Sequence, residues 1–130
     1  MRRTLLFLDH DDACRKFYDD MFVQDKDFRA VTFGIVDTAR DYTKKNGVHL
    51  IIASRPAVGY AIQNVLDLCR QQALQGKRRV LLVGAAYNDN QTVKRDLNET
   101  GARAVLPKKC DVIPVASRLV GVLIGCDPRP

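Results

Sequence analysis

The chain has 130 residues, which is close to the usual size of one domain, so we expect a single hydrophobic core. Hydrophobic residues make up 46% and charged residues 28%, a balance that is typical of a folded chain and excludes a disordered one. The net charge of +6 favours acidic partners. No apolar run approaches the ~18 residues of a membrane span, and the stretch before Asp9 is too short for a signal peptide. We therefore expect a cytoplasmic protein.

The cysteine pattern excludes the common zinc and disulfide frameworks. The chain has four cysteines, at Cys14, Cys69, Cys110 and Cys126. They form no CxxC pair, and His10 and His49 are the only histidines. We expect reduced thiols that pack as small hydrophobes, and no cofactor. Cys110 has one alternative role, as a redox-sensing thiol, because Lys108 and a predicted helix N-terminus would both lower its pKa.

Short apolar runs alternate with segments of helical period along the whole chain. The first strand is predicted at residues 5–8, and Asp11 or Asp12 is placed to cap the helix that follows. The apolar face of that helix is predicted to consist of Cys14, Phe17, Tyr18, Met21 and Phe22. A second strand follows at residues 28–33. The second helix is predicted to bury Ile35, Thr38, Ala39 and Tyr42 and to end at Asn46-Gly47.

The second half of the chain repeats the pattern. Strands are predicted at residues 48–53, 80–83 and 102–106. The helix between the first two carries Ile62, Val65, Leu66 and Cys69 on one face. The next helix is capped within residues 88–90, carries Val93 and Leu97, and ends at Gly101. Asp111 is placed to cap a last helix.

These elements form five βα units. The strands are apolar without alternation, which indicates a parallel sheet covered on both faces. Right-handed crossovers then give a doubly wound, flavodoxin-like α/β fold with strand order 2-1-3-4-5. We expect one domain over residues 1–125 and a tail over 126–130. In such a sheet, function lies at the C-terminal ends of the strands.

Two segments at those strand ends are similar to one family. Residues 5–11 read Leu-Leu-Phe-Leu-Asp-His-Asp, with Arg15 four residues later, and residues 101–108 run from Gly-Ala to Leu-Pro-Lys. Together with the five-unit rhythm, these segments resemble the CheY-like receiver domains of bacterial response regulators over nearly the whole chain. The resemblance implies a role in two-component signalling or phosphorelay.

The resemblance also implies a phosphorylation site whose parts can be compared one by one. In the family, two acidic residues after strand one hold Mg²⁺, and an aspartate after strand three accepts a phosphoryl group. A hydroxyl residue after strand four and a lysine after strand five contact the phosphate. The matching positions here are Asp9 and His10, then Ser54, then Gly84 and Lys108. Val105 stands where the family has a switch aromatic.

Most of the chemistry of that site is missing. A serine hydroxyl is a weak nucleophile without an adjacent base, and Gly84 has no hydroxyl. Only Asp9, helped by Asp11, remains for Mg²⁺, so we expect weak binding or none. We expect Lys108 to neutralise Asp9. The prediction is a degenerate receiver that is not an enzyme and acts by binding proteins without phosphorylation.

Other readings of the same residues are weaker or stay open. A hydrolase triad of Ser54, His10 and Asp11 lacks the Gly-x-Ser-x-Gly elbow and an oxyanion site. A receiver that takes part in phosphorelay through altered site chemistry is a second alternative.

Two surfaces are candidates for partner binding. The predicted last helix is apolar over roughly 200° of its circumference, more than one sheet face covers, so it is predicted to bind a signalling protein or a second copy of the chain. Its predicted contact residues are Ile113, Val122 and Ile124. A basic pole is predicted beneath the strand N-termini. It consists of Arg2, Arg3, Lys44, Lys45, Lys77, Arg78, Arg79 and Arg103. A DNA-associated or basic-surface regulator is thus the alternative, although no aromatic residues interleave the cations as stacking on nucleic acid requires.

Overall fold

Strands and helices alternate through the chain in the computed structural model. The structure describes residues 2–56, 60–75 and 79–107, without the side chain of Arg79. The elements are β1 (Arg3–Leu8), α1 (Asp12–Phe22), β2 (Phe28–Phe33), α2 (Val36–Lys45), β3 (Leu50–Ser54), α3 (Tyr60–Leu74), β4 (Arg79–Gly84), α4 (Asn90–Thr100) and β5 (Ala104–Pro107). The first residue of each strand is within two positions of the predicted one.

The five strands form one parallel sheet in the order β2-β1-β3-β4-β5, which confirms the predicted fold class. The central pairing sets Leu5 beside Leu50 and Leu8 beside Ala53. Because all strands run the same way, their C-terminal ends share one edge of the sheet. The residues that follow those ends are therefore neighbours.

The sheet is buried on both faces. Leu5 and Phe7 face α1, where the Phe7 ring stacks on the Tyr18 ring with centroids 4.2 Å apart. Leu6 and Leu8 face the opposite way, into a core that α2 and α3 complete. This two-sided burial explains why the strands are apolar at successive positions.

The helix ends follow the predicted capping chemistry. Asp11 caps α1, since its carboxylate accepts hydrogen bonds from the amides of Ala13 and Cys14 at 2.8 and 3.2 Å. Asp89 caps α4 in the same way, and the hydrogen bonds that Thr92 donates lower the pKa of the Asp89 carboxyl. Gly101 ends α4 with φ of 69°, a left-handed conformation that glycine adopts without steric cost.

The predicted buried faces of two helices were partly wrong. Ile35 is 64% exposed and Thr38 is exposed, because α2 begins at Val36 and turns Val36, Ala39 and Thr43 towards the core. In α4, the fully buried positions are two polar residues, Asp96 and Thr100, whereas Val93 and Leu97 are only partly buried. Val93 packs against the core as its apolar character suggests, but Asp96 and Thr100 were not predicted, because only apolar residues of α4 were assigned to its inner face.

Cys14 and Cys69 are buried and form no disulfide within the described residues, as expected for thiols that pack as small hydrophobes. Burial raises the pKa of Cys69 to about 12, and the nearby Asp96 charge adds to the shift. The thiol is therefore neutral at physiological pH.

We expect Cys14 and Cys69 to resist iodoacetamide in the native protein at pH 8 and to react once urea unfolds the chain. Peptide mass spectrometry after timed quenching measures both rates, and the unfolded chain is the control. Native alkylation of Cys69 within a factor of about ten of the unfolded rate would contradict its burial.

Within residues 2–56, 60–75 and 79–107, no helix combines the length and apolar character needed to cross a membrane. Several predictions concern residues outside those ranges and stay predictions. They are the last helix with Asp111, Ile113, Val122 and Ile124, the tail at 126–130, and the positions Lys77, Arg78, Lys108 and Cys110.

Candidate functional site at the C-terminal ends of the strands

Asp9 lies at the centre of this edge, directly after β1. It is 3% exposed, and its Oδ1 accepts a hydrogen bond from the amide of Asp11 at 3.0 Å. Its backbone carbonyl accepts a second bond from the Arg15 guanidinium at 2.7 Å. The Arg15 guanidinium also pairs with Asp12. The acidic position that the resemblance implies is thus built into the turn that starts α1.

The two residues after Asp9 do not extend that acidic position. His10 is exposed to solvent. The Asp11 carboxylate accepts its hydrogen bonds from the first turn of α1, so it serves as a helix cap. Its bonds within the described part of the chain involve neither His10 nor Ser54, which gives the hydrolase triad no geometric support.

Ser54 ends β3 and is largely buried beside this edge. The next residue, Arg55, continues the ladder, because its amide donates to the carbonyl of Val83 at 2.6 Å. Arg55 therefore directly follows the position that would carry the phosphoryl group, and its side chain turns back into the protein.

The Arg55 side chain belongs to a buried polar cluster that the sequence did not predict. Its Nε donates to Asp96 Oδ2 at 2.5 Å, and the Tyr87 hydroxyl donates to the same oxygen at 2.7 Å. The side chains of Arg55 and Asp96 are 7% and 0% exposed. Burial and the hydrogen bond to Asp96 raise the pKa of Tyr87, so the phenol stays protonated.

The other oxygen of Asp96, Oδ1, accepts no hydrogen bond in the described part of the chain. Arg95 Nε lies 3.6 Å away, which is ion-pair distance but too long for a hydrogen bond. In this Arg55–Asp96–Tyr87 cluster, the negative charge of Asp96 is therefore compensated mainly by the Arg55 guanidinium. The cluster joins the end of β3 to α4 and to the loop before α4.

Gly84 lies where the family has a hydroxyl residue, and its surroundings exclude a side chain. A Cβ built there would lie 2.9 Å from Arg55 Cβ and 3.2 Å from the Arg55 carbonyl oxygen. Real Cβ atoms essentially never come within 3.0 Å of such a neighbour. The close approach of residue 55 therefore requires glycine at residue 84.

The residues at this edge do not fit the magnesium site that the resemblance implies. Ser54 supplies no carboxylate, and Asp11 is occupied as a cap. Across the described ranges, no group of three or more acidic, histidine or cysteine side chains could hold a metal ion. Weak binding of Mg²⁺ at Asp9 and Asp11 stays a prediction.

Sequence periodicity could have found one of the missed residues, Asp96. Val93, Asp96 and Thr100 have the i, i+3, i+7 spacing of one helix face, so Asp96 shares a side of α4 with an apolar residue. A buried aspartate needs a cation, but the sequence offers several near Asp96, and only the structure shows that Arg55 is its closest partner. Tyr87 carried no comparable signal.

The basic pole lies at the opposite edge, where the strands begin. Arg3 begins β1, Arg79 begins β4, and the amide of Arg103 donates to the carbonyl of Val80 just before β5. Arg2 is exposed beside Arg3, and Lys44 and Lys45 are exposed in the last turn of α2. The described members of the pole therefore lie together at one edge.

Comparison with known proteins gives similarity of structure without similarity of sequence. No protein-family model matches the chain. No curated protein matches it either. A response regulator from Thermotoga maritima has 12% identity and a TM-score of 0.72, with 95% of this chain and 99% of that chain covered. A receiver domain of a Francisella response regulator has 13% identity and a TM-score of 0.73, with 97% and 100% covered.

A response regulator receiver protein from Burkholderia phymatum has 19% identity and a TM-score of 0.71, with 99% of this chain and all of that chain covered. Identities at this level establish the fold alone. The chain has the CheY-like receiver fold.

Proposed function

We propose that this chain is a receiver module of bacterial signal transduction that works without phosphorylation of the usual aspartate. It acts by binding a signalling protein and has no enzymatic activity of its own. The observation that carries the proposal is the packing of Arg55 against Gly84, which fills the space beside the phosphoacceptor position.

The first support for this proposal is the residue at the phosphoacceptor position, Ser54. Phosphoryl transfer to a receiver needs an ionised oxygen aligned on phosphorus, with positive charge on the transferring group. Ser54 offers a neutral hydroxyl that is largely buried, and no side-chain hydrogen bond joins it to a base among the described residues. An unactivated serine is a poor acceptor at neutral pH.

The phosphate-sensing position is the second support. A hydroxyl at residue 84 would require Arg55 to move, because the contacting atoms are its Cβ and backbone oxygen and not the flexible end of its side chain. Glycine at residue 84 is therefore more than the loss of a hydroxyl group. The substitution and the path of residue 55 belong to one packing arrangement.

The connection to α4 is the third support. In the family that this chain resembles, α4 belongs to a common partner surface. Here the Arg55–Asp96–Tyr87 cluster fixes α4 to the end of β3 by a buried ion pair. We infer that α4 is held in one position by this chain's own side chains, where a phosphorylated receiver would position it through the phosphoryl group.

The test is incubation with acetyl phosphate and Mg²⁺, followed by intact-protein mass spectrometry. We expect no mass increase of one phosphoryl group, while a conventional receiver domain in the same tube is phosphorylated. Ser54→Ala and Asp9→Asn variants locate any phosphoryl group that forms. A hydroxylamine-sensitive phosphoryl group on Asp9, or any phosphoryl group on Ser54, would overturn the proposal and favour the phosphorelay alternative.

A further inference from the structure

An open groove of about 650 Å³ lies at the edge where β1, β2 and β3 begin, opposite the candidate site. We name it the strand-start groove. Its polar lining residues are Arg2, Arg3, Thr4, Arg29, Asn46 and His49. The volume is within the range of small-molecule sites, ~300–1,000 Å³. No carboxylate belongs to the lining among the described residues.

The backbone holds the three parts of the groove together. Thr4 pairs with Arg29 across β1 and β2, and the amide of His49 donates to the carbonyl of Thr4 at 2.8 Å. The amide of Arg3 donates to the carbonyl of Asp27 at 2.8 Å. The groove is therefore formed by sheet structure that is already in place before a ligand arrives, which lowers the entropic cost of binding.

Arg29 is positioned by neutral oxygens. One of its terminal nitrogens donates to Thr4 Oγ1 and to the Tyr42 hydroxyl, both at 3.2 Å. Arg2 donates to the backbone carbonyl of Asp25 at 3.4 Å. Neither guanidinium has a carboxylate partner within the described residues, so no carboxylate there compensates its positive charge.

Arg2 and Arg29 differ from the arginines on the helices and at the candidate site in their lack of a carboxylate partner among the described residues, which indicates a ligand. The arginines on the helices and at the candidate site pair with aspartates. These are Arg15, Arg40, Arg55, Arg70 and Arg95. Arg2 and Arg29 share one concave surface and lack such a partner. Helix C-termini attract cations and account for Lys44 and Lys45, but Arg29 lies in a strand and receives no such stabilisation.

We propose that the strand-start groove binds a small phosphorylated anion that carries two or more negative charges. Guanidinium groups bind phosphate oxygens through paired hydrogen bonds. A tetrahedral phosphate accepts such bonds from several directions, which suits Arg2 just before β1 and Arg29 on β2, whereas a planar carboxylate accepts one fork in its plane. This inference goes beyond the proposed function and stands independently of it, because it concerns the opposite edge of the sheet.

The test is isothermal titration of the full chain with sodium tripolyphosphate in low-salt buffer. We expect saturable binding that an Arg2→Ala/Arg29→Ala variant weakens at least about tenfold, the effect of losing one strong charge-assisted hydrogen bond. An Arg40→Ala/Arg70→Ala variant removes the same number of charges and should bind as the wild type does. Circular dichroism before titration checks that both variants are folded.

The absence of saturable binding would overturn the proposal. So would an equal loss of affinity in the two double variants, or equal affinity for citrate, a tricarboxylate that tests for attraction to any small anion. Binding of random duplex DNA without binding of tripolyphosphate would also overturn it and would favour the DNA-associated alternative. Phosphorylation of Asp9 or Ser54 has no bearing on any of these results.

Discussion

Replacing Arg55 with methionine is expected to lower the free energy of unfolding by about 3–5 kcal/mol. Methionine has a similar length but no charge. Among the described residues, the fully buried Asp96 carboxylate would keep only the Tyr87 hydroxyl and, at 3.6 Å, Arg95 Nε as partners. Removing one member of a buried pair leaves the other charge uncompensated, which is more costly than losing an exposed pair. Urea denaturation followed by circular dichroism measures the change.

An exposed ion pair supplies the matched control. Arg40 pairs with Asp37 at 3.1 Å, and the Asp37 side chain is 84% exposed. Arg40→Met should therefore change stability by less than about 0.5 kcal/mol. The Arg55→Met/Asp96→Leu variant should recover at least half of the loss, because it removes both charges. A loss below about 1 kcal/mol in Arg55→Met would contradict the assignment of this pair as the main compensation of Asp96.

Replacing Gly84 with threonine, the hydroxyl residue of the family pattern, is expected to destabilise the protein by about 1–3 kcal/mol. The new Cβ would meet Arg55 Cβ at 2.9 Å and the Arg55 carbonyl oxygen at 3.2 Å, so the backbone must shift. Gly84 has no positive φ, so the cost comes from this contact and not from backbone conformation. Thermal unfolding measures the effect, and Gly84→Ala should show most of it.

Gly47 is the matched control for this substitution. A Cβ built at Gly47 meets no atom of the described residues within 4 Å. Gly47→Ala should therefore be neutral or stabilise by about 0.4–1 kcal/mol through the lower entropy of the unfolded chain. If Gly84→Ala and Gly47→Ala had the same effect, the close packing of residues 55 and 84 would not be what excludes a side chain at Gly84.

The two substitutions probe a single packing arrangement from its two sides. Arg55 approaches Gly84 with its backbone and Cβ, and reaches Asp96 with its guanidinium. Gly84→Ala is expected to move residue 55, and Arg55→Met removes the positive charge that pairs with Asp96. We therefore expect the combined loss in Arg55→Met/Gly84→Ala to differ from the sum of the single losses.

The strand pattern allowed the fold to be predicted almost completely. Successive apolar positions such as Leu5 to Leu8 can be buried only if both faces of a sheet are covered, and the helix caps at Asp11 and Asp89 depend on neighbours three residues away. Both signals are local in the chain. Prediction failed where the helix start at Val36 shifted the buried face by one residue, which changed the exposure of Ile35.

The candidate site was only half predictable. The sequence determined which residue types occupy the strand ends, so the serine at 54 and the glycine at 84 could be recognised as departures from the receiver pattern. Only the tertiary structure showed that the Cβ and carbonyl oxygen of Arg55 exclude a side chain at Gly84. It also showed that Arg55 pairs with Asp96, 41 residues further along the chain.

The same division holds for the positive charge. Its sum of +6 and its clustering near the strand starts were determined by the sequence. Only the structure decided that Arg2 and Arg29 line one groove without carboxylate partners while Arg55 is neutralised inside the protein. The physical reason is that charge and local periodicity are properties of residue types, whereas burial and pairing depend on which distant segments the fold brings within a few ångströms of each other.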